Sequence, residues 1–221
     1  LSSNGIVMVD SINSGGNQVI EFGETVLQSV RLINIEDQPI SNATMTIHIN
    51  DQYITLTDST QDLGTLPVGV PMRFVDAFSW EVSPQVPDHH LVEIFTEIVS
   101  GTDTWENSLS HFAFAPIASV SEVAVDDENQ RLDPGDTSDL AVTISNTGGA
   151  AATSVYAILS TTDPYVSINS GMVNIALLSA GSSQEAVFNV SVSDETLPSH
   201  VITFVVTMTG DNSFSAADTF F

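Results

Sequence analysis

The sequence predicts an all-β chain built from two β-sandwich units in series, and three observations carry that prediction. Apolar and polar residues alternate with period two. In "ATMTIHIN", Met45, Ile47 and Ile49 fall on one face and Thr44, Thr46 and His48 on the other, the pattern of a half-buried strand. Clusters of turn formers ("SGGN", "EDQP", "DPGD", "NTGG") separate such runs, and no stretch sustains helical periodicity. Finally, the chain repeats itself. "NQVIEFGET", beginning at Asn17, returns as "NQRLDPGDT", beginning at Asn129, an offset of 112. Ordered self-similarity on this scale marks a repeated structural unit.

Taken in chain order, each predicted element has a counterpart. The first strand is "GIVMVD" in one copy and "SEVAVD" in the other. The acidic turn follows, then "TVLQSVRLINI", which ends at Asn34, the counterpart of Asn146. The third strand carries "TMTIHI" or "SVYAIL". "DQYITL" falls on "DPYVSI", and "LGTLPVG" on "IALLSAG", still at 112. The offset then drops to 110, where Phe78 meets Phe188 and His90 meets His200, and to 109, where Trp105 meets Phe214 and Phe112 meets Phe221. The closing strand pairs are "HLVEIFTEIV" with "NSLSHFAF" and "HVITFVVTM" with "SAADTFF". The joint falls near Pro116, so the expected domains are residues 1–115 and 116–221. About seven strands in about 105 to 110 residues is the size and count of an immunoglobulin-like sandwich. The prediction is therefore two tandem immunoglobulin-like β-sandwich domains related by internal duplication.

Composition narrows the function. The 221 residues carry 28 acidic side chains against 3 basic ones, a formal net charge of −25. The cations are Arg31, Arg73 and Arg131. Such a surface repels nucleic-acid phosphates and anionic headgroups and attracts divalent cations and cationic partners. A saline habitat would screen its self-repulsion. There is no cysteine, which removes disulfides and thiol chemistry. No apolar run approaches the roughly 18 residues of a membrane helix, so membrane insertion is not expected. The opening Leu1 and the strand-like Phe220–Phe221 suggest a piece of a longer chain. No G-x-S-x-G, H-E-x-x-H or phosphate loop is present, and catalysis is not expected.

The run "LDPGDTSDLAVTISNTGGAAATSVYAILSTTDPYVSI" resembles the immunoglobulin-like accessory modules of bacterial secreted and cell-surface proteins. These are the CARDB-like and NEW3-like repeats that accompany gingipain-like peptidases. The resemblance spans nearly all of the second copy and, more loosely, the first. It implies an extracellular or cell-surface setting in a bacterium and a role as spacer, stabiliser or adhesion surface. Partners would be neighbouring domains of a longer chain or other copies of the chain. Two alternatives stand beside that role: a self-assembling fibre or surface layer, built by strand exchange or head-to-tail stacking, and a carbohydrate-binding module. The sequons Asn42-Ala43-Thr44 and Asn189-Val190-Ser191 leave room for glycans.

The acidic turn has two readings. In one, Gly23 and Gly135 supply a backbone conformation that side chains resist, Pro134 presets the turn, and Ile20 and Leu132 point inward. In the other, the oxygens converge on Ca2+, which takes about 6 to 8 such ligands. The metal candidates are Asp10, Asn17, Glu21 and Glu24 in the first copy and Asp126, Asp127, Asn129, Asp133 and Asp136 in the second. Structural roles are expected for the histidines, with His48 and His111 facing outward. Trp80, Trp105 and Phe112 read as core residues.

Overall fold

The computed structural model describes residues 2–3 and 5–221. Two compact units divide the chain, residues 1–114 and 115–221. The first holds β1 (Ser2–Ser3), β2 (Ile6–Ser14), β3 (Ile20–Glu21), β4 (Thr25–Asn34), β5 (Ile40–His48), β6 (Ile54–Asp58), β7 (Thr60–Leu66), β8 (Pro71–Val82), β9 (His90–Ser100) and β10 (Asp103–Phe114). The second holds β11 (Ala118–Val125), β12 (Thr137–Asn146), β13 (Ala152–Ser160), β14 (Val166–Ser170), β15 (Met172–Leu178), β16 (Ser183–Val192), β17 (Phe204–Thr209) and β18 (Ser215–Phe220). Among the described residues there is no α-helix, only a 3₁₀ turn at Asp211–Ser213. The chain is all-β.

Each unit contains two sheets. In the first unit the orders are β1-β2-β4-β8-β6 and β3-β10-β9-β5-β7; in the second they are β11-β12-β16-β14 and β15-β13-β17-β18. Strand pairs are antiparallel except β3 with β10, where Ile20 sits beside Ala113 in parallel register. After its third long strand (β5 or β13) each unit crosses to the far edge of the other sheet as β6 or β14. It then returns to flank that strand as β7 or β15. This excursion to both edges takes the count past the seven strands expected.

Alternation places one face of each sheet inside, consistent with sandwich packing. Trp80, Phe78, Leu32, Met45, Ile47 and Ile94 are fully buried in the first unit; Phe188, Leu140, Ile144, Leu178 and Met208 are in the second. Each such side chain contributes about 1.5–3 kcal/mol by leaving water.

A buried asparagine ends the second long strand of each unit. Asn34 Nδ2 donates to the carbonyls of Gln38 and Leu66 at 2.8 and 3.0 Å. Asn146 Nδ2 donates to those of Ala150 and Leu178 at 2.8 and 3.2 Å. The N–H of Gly69 and of Gly181 closes on the asparagine's own carbonyl at 2.7 and 2.9 Å. Both glycines need positive φ, 69° and 68°. The side chain thus satisfies carbonyls that leave their ladders where the chain changes sheets.

Three expectations change. Ile20 is buried but Leu132 only half-buried, because β3 pairs with β10 and residues 131–133 have no strand partner. The last strands align differently from the sequence match. Leu109 opposes Ile94 and Phe220 opposes Phe204, so Leu109 and Phe220 are equivalent. Trp105, opposite Ile98, therefore answers Ala216, opposite Met208, rather than Phe214. The turn before β18, which includes Asp211–Ser213, is longer than its counterpart and shifts the register. Phe112 is 54% exposed rather than in the core, beside the exposed Leu91 across the ladder.

Candidate functional site

The acidic turns are built alike. Asn17 Nδ2 donates to Glu21 Oε2 at 2.9 Å while its Oδ1 accepts from the Val19 N–H at 2.8 Å. Asn129 Nδ2 donates to Asp133 Oδ2 at 2.7 Å while its Oδ1 accepts from the Arg131 N–H at 3.1 Å. Glu24 accepts from the Glu21 N–H at 3.2 Å, as Asp136 does from the Asp133 N–H at 2.7 Å. Gly23 and Gly135 have φ of 69° and 89°, the left-handed conformation the turn chemistry requires.

Their electrostatics differ. Burial raises Glu24 above its ordinary value; the Ser14 hydroxyl at 2.6 Å opposes this, and neighbouring Glu21 adds to it. Asp133 is lowered, first by the Asn129 hydrogen bond and then by Arg131, whose Nε lies 2.9 Å from it. Among the described residues a third carboxylate joins only in the second unit, where oxygens of Asp127, Asp133 and Asp136 lie within 4.8 Å of one another. Position 127 corresponds to Gly15. There a Cβ would meet Glu24 Oε1 at 2.0 Å, so the first turn has no room for an equivalent side chain.

Of the proposed metal ligands, Asp133 and Asp136 are brought together, with Asp127. Asp126 is exposed; its N–H donates to the Asp139 carbonyl. The side chains of Asn17 and Asn129 are spent on turn hydrogen bonds. Asp10 lies elsewhere, in a polar cluster between the sheets of the first unit. His111 Nε2 is 2.7 Å from its Oδ2, and Gln28 Nε2 donates to the same atom at 3.0 Å. Burial would raise the Asp10 carboxyl, but the His111 hydrogen bond and charge and the Gln28 bond together lower it. His111 therefore faces inward, against expectation, because a carboxylate partner waits there.

A second motif recurs in both units. Asp51 Oδ1 accepts from the Tyr53 N–H at 2.8 Å and its Oδ2 lies 2.6 Å from His90 Nε2. Asp163 Oδ1 accepts from the Tyr165 N–H at 3.0 Å and its Oδ2 lies 2.7 Å from His200 Nε2. The tyrosine ring meets the imidazole edge-on, at 5.0 Å in one unit and 5.3 Å in the other. Asp163 is lowered, chiefly by the Tyr165 N–H and secondarily by His200. Each clasp ties the loop after the third long strand to the segment that leads into β9 or β17. The sequence held its signal, since both ends repeat, at offsets of 112 and 110.

A groove of about 590 Å³ in the first unit is open and polar. It is lined by Glu36, Asp37, Gln38, Thr102, Asp103 and Trp105. An apolar cavity of about 440 Å³ lies in the second unit against Val123, Leu132, Leu140, Ile202 and Phe220. Phe95 and Phe112 are 50% and 54% exposed on β9 and β10. Phe95 opposes Ser108 and Phe112 opposes Leu91, so the rings stand four rungs apart and form no continuous platform.

No family model matches the chain, and no curated protein does. Among solved structures it is similar to the native conformation of an E. coli alpha-2-macroglobulin, with 10% identity and a TM-score of 0.34 over 96% of this chain. It is similar to a Porphyromonas gingivalis W83 protein of unknown function, with 11% identity and a TM-score of 0.29 over 98% of this chain and 99% of that one. It is also similar to the YadV chaperone, with 8% identity and a TM-score of 0.27 over 98% of this chain and all of that one. The chain spans 16% of the macroglobulin chain.

Proposed function

We propose that the chain is a non-catalytic pair of immunoglobulin-like domains, related by duplication, that spaces, stabilises or presents neighbouring parts of a bacterial secreted or cell-surface protein. One observation carries this reading. The side chains that repeat between the units — the asparagine latches, the acidic turns and the aspartate–histidine clasps — bond to their own backbone and loops and converge on no common open site. Repeated chemistry spent on holding turns is what a structural module needs. Two of the three arginines, Arg31 and Arg73, stand on strands, which suits a module that must resist proteases cutting after basic residues.

Two measurements test it. Antibody labelling of intact source cells should equal that of lysed cells, and signal only after lysis would overturn the extracellular setting. A trypsin-like protease should leave the folded chain whole and cut the denatured chain at no more than its three arginines. Digestion of the folded chain as fast as the denatured one would remove the resistance argument.

A second reading adds Ca2+ at Asp127, Asp133 and Asp136, favoured by their approach within 4.8 Å. The ion would have to displace Arg131, which now occupies Asp133, and would draw further oxygens from the loop. It would stiffen the turn ahead of β12. Millimolar calcium should raise the melting temperature of the wild type but not of Asp127→Asn. Identical curves with calcium and with chelator would exclude it.

A further inference from the structure

The outer faces of the two β2- and β11-containing sheets carry opposite charge at the same rung. In the first unit, Val9 opposes Arg31 and Arg31 opposes Arg73. In the second, Glu122 opposes Thr143 and Thr143 opposes Glu185. The strands match one for one, as β2, β4, β8 against β11, β12, β16. All four charged side chains are exposed, and none has an ion pair or hydrogen bond among the described residues. Two arginines set side by side are costly without a counter-charge. A chain with three cations and 28 carboxylates had many chances to supply one nearby and leaves this pair bare.

The neighbouring rungs also fit. Beside the arginine rung lie Val7, Ile33 and Pro71. Beside the glutamate rung, on its opposite side, lie Ala124, Ala141 and Val187. Laid face to face with strands antiparallel, the two faces bring Arg73 over Glu185, Arg31 near Glu122, and apolar rung over apolar rung. Arginine with aliphatic neighbours is the composition of an interface rather than of a solvated face, and guanidinium–carboxylate pairs are strong when desolvated.

We infer that the Arg31–Arg73 face of one copy docks on the Glu122–Glu185 face of a second copy. This contact adds a partner to the spacing role without depending on it, since a strictly monomeric chain would still be a spacer. The partner face is on the same polypeptide type, so successive copies can join head to tail.

The test is sedimentation of the full chain over a range of concentrations at about 0.15 M salt, where the screening length is about 8 Å. The wild type should show a reversible rise above 23.5 kDa. R31E/R73E and E122R/E185R should each weaken association by roughly tenfold or more. The two variants shift net charge in opposite directions, so general repulsion would weaken one and strengthen the other; docking weakens both. An equimolar mixture of the two should associate again, because each then supplies the face the other lacks. A wild type fixed at 23.5 kDa, a variant that associates as tightly as wild type, or a mixture that stays apart would each overturn the inference. Circular dichroism checks folding, and R31Q/R73Q with E122Q/E185Q gives the same readout if a charge swap does not fold.

Discussion

Two ladder positions separate the interiors of the two units. Where the first unit buries Gln28, which donates to the Asp10 carboxylate that also pairs with His111, the second buries Leu140, with Val123 at the rung of Asp10. The asparagine latches, by contrast, match in both Nδ2 bonds and in the glycine N–H that closes on the main-chain carbonyl. The difference separates two kinds of constraint. A carbonyl that leaves its ladder must find a donor, and at Asn34 and Asn146 only a short carboxamide reaches two at once. An interior volume can be filled by a complete polar network or by hydrocarbon, and both fold. The first unit's network is not complete, since Gln28 Oε1 has no partner, an omission that costs about 1–3 kcal/mol.

The largest effect should come from the shared element. Asn146→Ala strands two carbonyls and the N–H groups of Ile117 and Gly148, which bond to Asn146 Oδ1 at 3.0 Å each. Loss of about 3–4 kcal/mol by denaturant titration is expected. Asn34→Ala should cost somewhat less, because Oδ1 there accepts, among the described residues, from the Glu36 N–H. Equal, small losses would show that water replaces the carboxamide and would weaken the argument that backbone satisfaction fixes this residue.

Next comes the polar cluster. Asp10→Ala leaves buried Gln28 and half-buried His111 without their acceptor and should cost about 2–3 kcal/mol at neutral pH. D10V/Q28L/H111F, which replaces the polar cluster with hydrocarbon, should recover most of that loss. The sign with pH follows from the lowered Asp10. Its contribution is fully present above the ordinary carboxylate value of 3.8 and is lost as pH falls through the lower folded value. The gap between wild type and D10A should therefore close in acid. Glu24 runs the other way. Raised by burial, it contributes most below its ordinary value of 4.5 and loses that contribution as pH rises through its folded value. Glu24→Gln should then be best tolerated at neutral pH. A D10A gap that widens in acid would refute the sign.

Strand periodicity, turn formers and the 112 offset made the all-β fold legible in the sequence, because each is a local signal. The register of β18 was not, since the length of a turn decides it and alanine at 216 carries no mark of its alignment with Trp105. The acidic turns were legible as turns, through Gly23 and Gly135. That Asp10 leaves the turn for His111 was not, because 101 residues separate them. The arginine and glutamate rungs were invisible for the same reason: Arg31 and Arg73 become neighbours only once β4 pairs with β8.

The smallest effect tests the clasps. His90 and Asp51 are both largely shielded, with side-chain exposures of 24% and 13%, and His200 and Asp163 are similar at 29% and 10%. Yet β9 begins at His90 itself, whereas β17 begins only at Phe204. In the first unit the clasp therefore grips a residue already held by the ladder, opposite Ala113. In the second it grips a segment that no strand holds. His90→Ala should cost about 1 kcal/mol of global stability. His200→Ala should cost less globally but more locally, as faster amide exchange over residues 197–203, the stretch that meets β17. If exchange there is unchanged in His200→Ala, the clasp does not order that segment, and its recurrence in both units reflects common turn geometry alone.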